Sequence, residues 1–203
     1  MTANLLIIAL TVAVSLWGLS DPRVIHALIL WPPAVKKKGE VYRLASYGIV
    51  HADVPHLLFN MVTLYFFGQA IEGVYLRALG QLGYVWFYVM ALVASILPTY
   101  LRHRDDPEYR SLGASGAVSA VLFAFILFRP LDSLYLFFIP IPIPAIVFAV
   151  LYVAYETWSQ KQAKDNVNHS AHLWGAAFGV LFTLLMVPGS GSGFVRQLGR
   201  ILQ

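Results

Sequence analysis

Three short stretches hold polar residues where an apolar chain has no general need of them. In "SLGASGAVSAV", Ser115 stands between Ala114 and Gly116 at the edge of an apolar run. A hydroxyl there is either a small group that lets helices approach or a nucleophile. In "HSAHLWGAAFG", His172 opens a second apolar run. An imidazole there is either a polar contact between helices or the base that takes a hydroxyl proton. In "HADVPHLLFNM", His56 and Asn60 are four residues apart, hence on one face of a helix. They are interhelical hydrogen-bonding groups or donors to a developing oxyanion.

The neighbouring small residues connect the first two stretches. Gly113, Gly116, Ala117, Ala120 and Ala124 follow one side of the serine run, and Ala171, Gly175 and Gly179 recur every four residues beside His172. Two small-residue faces let backbones approach closely in lipid, so the spacing predicts that the imidazole reaches the hydroxyl. Glu72, in "FFGQAIEGVY", reads as an anchor for backbone donors. His26, His51, His103 and His169 fall in loops or at segment ends, where solvated or capping roles are expected. Other chemistries lack their parts. There is no H-E-x-x-H pair for zinc, no G-x-S-x-G elbow, no pair of aspartates within apolar segments and no cysteine. No metal and no cofactor are expected.

Apolar types form 59% of the 203 residues and charged types 12%, about half the roughly 25% of a soluble domain. The chain is therefore expected to be an all-α, multi-pass membrane protein, one domain over residues 1–203, with the lipid bilayer as a partner. A net charge of +4 leaves no nucleic-acid footprint. Six apolar segments can be placed, at about 4–19, 53–74, 82–101, 114–128, 134–158 and 170–187. The first reads as a retained helix, because no positive region precedes it and no cleavage site follows. The fourth would reach only about 22 Å, too short to span. It is expected at the centre of the bundle, with Ser115 on the floor of a wet pocket. In the fifth, Pro140, Pro142 and Pro144 cannot lie mid-helix, so an extended stretch should lead into a helix near Ala145. The long first loop, about 20–52, holds "LILWPPAVKKKGEVYR" and reads as an interfacial segment.

The ordered set of motifs resembles the rhomboid family of intramembrane serine proteases, of the bacterial type with a six-helix core. The stretch "YRLASYGIVHADVPHLLFN" resembles its first loop and second helix, and "FFGQAIE" its glycine-to-glutamate element. "GASG" resembles the nucleophile motif, "PIPIPA" the start of the fifth helix in many bacterial members, and "AHLWGAAFG" the A-H-x-x-G-x-x-x-G element. The resemblance implies a Ser-His dyad, with Ser115 the nucleophile and His172 the general base and no third acid. It implies an oxyanion hole of His56, Asn60 and the Ser115 backbone N–H, and structural roles for Arg43, His51 and Glu72. The implied reaction is hydrolysis of a peptide bond in or next to a membrane segment of a single-span or polytopic substrate protein. The alternative is a catalytically silent rhomboid-like protein that binds membrane clients. The implied home is a bacterial inner membrane. Two features depart from that pattern. Ser119 stands where many members place an aromatic against the histidine, which predicts a loosely held imidazole. The loops on the site's side are also rich in cations, Lys36, Lys37, Lys38, Arg102, Arg104 and Arg110 among them. The positive-inside rule would put that side in the cytoplasm, against the family's usual topology.

Overall fold

An apolar chain in lipid must satisfy its backbone within itself, and long apolar runs do so as helices. The computed structural model describes residues 2–136, 139–162 and 167–199. Helix α1 (Ala3–Ser20) leads into a first loop that holds α2 (Pro22–Leu28), α3 (Pro32–Lys38), α4 (Arg43–Ser46) and a 3₁₀ turn, Tyr47–Ile49. Helix α5 (Val54–Thr63) continues through a π-helical turn, Leu64–Gly68, into α6 (Gln69–Leu79). Then follow α7 (Gly83–His103), α8 (Ser115–Phe128), strands β1 (Ser133–Leu136) and β2 (Ile139–Pro144), α9 (Ala145–Gln162), α10 (His169–Met186) and α11 (Ser190–Gly199).

Among the described residues, four helices are long and apolar enough to cross a membrane: α1, the continuous run Val54–Leu79, α7 and α10. Two of the six expected segments fall outside this set, the fourth as its shortness in the sequence implied. Helix α8 has 14 residues, about 21 Å. Helix α9 ends in the polar sequence "ETWSQKQ". The fifth segment also differs in its bounds. The range 134–158 is not one helix, because β1 and β2 form an antiparallel pair and the helix begins at Ala145. Prolines at every second position lose their N–H groups along one edge of β2, which leaves the isoleucine N–H groups between them for the partner strand.

Helix α8 is the centre of the molecule, and every residue from Gly116 to Leu127 is buried. It packs most extensively on α10. A Cβ on Gly175 would overlap the Gly116 carbonyl oxygen, and one on Gly179 would overlap that of Ala120. The two backbones therefore touch directly. Lipid offers no hydrophobic gain for that meeting, so close packing has to drive it.

Polar contacts fix the remaining elements. Glu72 Oε1 accepts from the Ala3 N–H at 2.6 Å, which ties α6 to the start of α1. Asn4 Nδ2 donates to the Leu64 carbonyl at 3.0 Å, where the π turn loosens the regular ladder. The first loop is packed against the protein. Leu30, Pro32, Pro33, Ala34 and Val35 are buried, and Leu30 exchanges backbone bonds with Ser111 at 3.0 and 3.2 Å. Buried Arg43 knots this loop together. It donates to Glu40 at 2.6 Å and to the carbonyls of His26 and Ile29 at 2.9 and 2.8 Å.

Candidate active site

Ser115 is the first residue of α8, reached through Leu112, Gly113 and Ala114. Gly113 has φ +108°, and a Cβ there would come within 2.5 Å of the His56 imidazole. Only glycine meets both demands without strain. The turn leaves Ser115 at the helix start, where its N–H has no partner inside the helix. His172 lies in the first turn of α10, capped by Asn168, whose side chain accepts from the Ala171 N–H at 3.0 Å. With the α8 and α10 backbones in contact, His172 Nε2 lies 2.7 Å from Ser115 Oγ.

Asp53 caps α5 by accepting from the His56 N–H at 2.7 Å, with Pro55 in the first turn. Asn60 sits one turn further on and donates to the His56 carbonyl at 3.0 Å. One cavity of about 920 Å³ is lined by Ser115, His172, His56 and Asn60 together with Asn168 and Gly113. Further walls come from the first loop, the segment 108–112, Phe59, Gly116, Val167 and Ala171.

His51 is fully buried, which differs from the solvated or capping role read from its position. The Ala114 N–H donates to His51 Nε2 at 3.3 Å, and Ser15 Oγ gives its proton to the Ile49 carbonyl. His51 Nδ1 must therefore carry the hydrogen and donate to Ser15 Oγ at 2.9 Å. Burial, with His56 close by, pushes this imidazole down to about 3 from the ordinary 6.5. The neutral form is thus the folded form. His51 contributes stability that is fully present above pH 6.5 and lost as pH falls toward 3. The melting midpoint of detergent-solubilised protein should drop between pH 6.5 and 4.5, and less steeply in His51→Gln. Parallel profiles for the two proteins would contradict this assignment.

Three corrections concern the surroundings of His172. First, its Nδ1 is engaged by an acid. Glu156, on α9, places Oε1 3.0 Å from His172 Nδ1. Second, His169 is buried, and its Nδ1 lies 2.5 Å from Glu156 Oε2. Third, Ser119 does not leave a gap. Its Oγ donates to the Ser115 carbonyl at 2.9 Å and lies 2.6 Å from the hydroxyl of Tyr152, one turn before Glu156 on α9. The space near the histidine is filled from another helix. Sequence reasoning missed Glu156 and Tyr152. The available signal was an acid inside an apolar run, "LYVAYETW", with a tyrosine four residues earlier on the same face. Donor atoms of Glu156, His169 and His172 all lie within 4.8 Å of one another, close enough to converge on a cation. In the structure each is engaged by another member of the trio.

Comparison with known proteins agrees with the ordered motifs. A profile of the rhomboid domain matches residues 38–189. RHOMBOID-like protein 12, mitochondrial, from Arabidopsis thaliana is 34% identical over 152 residues, which is 70% of this chain and 45% of that protein. Bacillus subtilis YdcA, which carries a rhomboid-protease name, is 30% identical over 171 residues, 80% of this chain and 78% of that protein. Rhomboid protease GluP from the same organism is 26% identical over 166 residues, 81% of this chain and 30% of that protein. The chain therefore spans less than half the length of two of these relatives.

Proposed function

The chain belongs to the rhomboid family, and we propose that it is an intramembrane serine endopeptidase cutting a peptide bond in or beside a membrane segment of a substrate protein. The chain is an integral membrane protein. In this reading α8 and α9 join the four longer spans in a six-segment bundle. The bacterial relatives favour a plasma membrane and the Arabidopsis relative a mitochondrial one.

The observation that carries the reading is the 2.7 Å between His172 Nε2 and Ser115 Oγ at the wall of a cavity of about 920 Å³. Ser115 Oγ attacks the scissile carbonyl carbon while its proton passes to His172 Nε2. The carbonyl oxygen becomes an oxyanion. The Ser115 N–H, at the open start of α8, faces it, with His56 and an Asn60 N–H as further donors. On collapse the C–N bond breaks, and His172 gives its proton to the leaving amine. Water then attacks the acyl-enzyme, losing a proton to His172, which returns it to Ser115 Oγ. No step requires a cofactor.

Purified protein in liposomes with a labelled single-span substrate should yield two fragments, with new termini in or beside the span. Intact substrate after prolonged incubation would overturn the reading. In the same assay His56→Ala and Asn60→Ala should each lower kcat with little change in KM, because an oxyanion donor acts only in the transition state. The expected cost is about 2.7–4 kcal/mol each. A change confined to KM would make that residue a contact for bound substrate.

A further inference from the structure

We propose that Glu156 completes a Ser-His-Glu relay by holding His172 in the tautomer that can accept the Ser115 proton, and that His169 holds Glu156. This positioning role rests on the serine-protease reading above. It begins with proton counting. A neutral imidazole has one N–H. His172 Nε2, 2.7 Å from Ser115 Oγ, must offer its lone pair to take a proton, so Nδ1 must carry the hydrogen. Among the described residues, the acceptor on Nδ1 is Glu156 Oε1, at 3.0 Å. Once Nε2 gains the serine proton, the imidazolium lies against a carboxylate in a buried site, which stabilises the charge that the first step creates.

The second oxygen makes the arrangement specific. Glu156 Oε2 is taken by His169 Nδ1 at 2.5 Å. His169 and His172 are three residues apart, so both project from one face of α10 toward the same carboxylate. Glu156 arrives on the inner stripe of α9, where Ala145, Ala149, Glu156 and Ser159 are the buried residues. Tyr152 lies on the same stripe and reaches Ser119, whose Oγ is bonded to the Ser115 carbonyl. Seating α9 therefore delivers the acid to the histidine and braces the residue that carries the nucleophile.

A carboxylate that merely joined α9 to α10 would leave the His172 tautomer and the partition between kcat and KM untouched. The test reads both. In protein labelled with ¹⁵N-histidine, parent His172 should show a protonated Nδ1 and an unprotonated Nε2. This assignment does not depend on cleavage, so it stands or falls separately from the protease reading. Glu156→Gln presents an amide that can accept from only one of the two histidines, and the Nδ1–H signal of His172 should weaken. In the liposome assay kcat should fall about 100-fold or more with KM unchanged, and Glu156→Asp should recover part of the loss. A parent His172 protonated on Nε2 would overturn the proposal even if no variant folds. So would a Glu156→Gln protein that cleaves at the parental kcat. Loss of parental activity on removing divalent ions with a chelator would reassign the trio to metal binding.

Discussion

Ser115→Ala should reduce cleavage of a single-span substrate to background while the protein folds and melts as the parent does. Only one oxygen is removed, from a residue whose Oγ has His172 as its polar partner. The methyl that remains fits the first turn of α8, and alanine is favourable there. The chemical cost is far larger. Without the hydroxyl no acyl-enzyme can form, and loss of a serine nucleophile that works with a base costs of order 10⁶-fold in kcat, about 8 kcal/mol. Substrate affinity should hardly change, because the cavity wall keeps its shape. Measured by fragment yield and by substrate pull-down, the variant should bind and not cut. Residual cleavage within about tenfold of the parent would place the nucleophile elsewhere.

Gly175→Leu should be nearly as damaging to activity by a different route. The α8–α10 contact is backbone against backbone, and a Cβ on Gly175 already meets the Gly116 carbonyl oxygen. Neither partner is a side chain that can rotate away, so the helices must separate. Overpacking of this kind costs about 3 kcal/mol or more when the surroundings cannot relax. The separation also draws His172 from Ser115. A misplacement of about 1 Å costs about 100-fold, and a leucine demands more than that. Activity should approach the Ser115→Ala level and the melting midpoint should fall. Gly199→Ala, where no atom of the described residues beyond its own helix lies within 4 Å of an added Cβ, is the control and should leave both unchanged. A Gly175→Leu protein that melts and cleaves as the parent does would show that the two helices do not meet there in solution.

What could be read from the sequence was whatever is encoded within one element. The family was legible in the order of several short motifs. The approach of α8 and α10 was legible because the small residues recur at helical spacing on each, around Gly116 and Ala120 on one and Gly175 and Gly179 on the other. The Asp53 cap with Pro55 behind it is a local signal of the same kind. What stayed hidden depends on a third element. Glu156 gains its meaning only when α9 docks on α10, and nothing in "AYETW" names His169 and His172 as its partners. Ser119 looked like a gap because the group that fills it, Tyr152, comes from 33 residues away. His51 looked like a loop histidine because its partners, Ser15 and Ala114, lie 36 residues before it and 63 residues after it. In the fifth segment the prolines announced extended backbone before Ala145. The pairing of β2 with β1 depends on a second strand and on which edge keeps its N–H groups.

The most direct test of the account is chemical labelling of the nucleophile. A fluorophosphonate reacts with a serine whose proton a base can remove, and the adduct stays on that residue. In detergent-solubilised protein, peptide mass spectrometry should find the phosphonyl group on the peptide that contains Ser115. It should be absent from Ser115→Ala and strongly reduced in His172→Ala. An adduct on another serine, or labelling that persists unchanged in Ser115→Ala, would contradict the account.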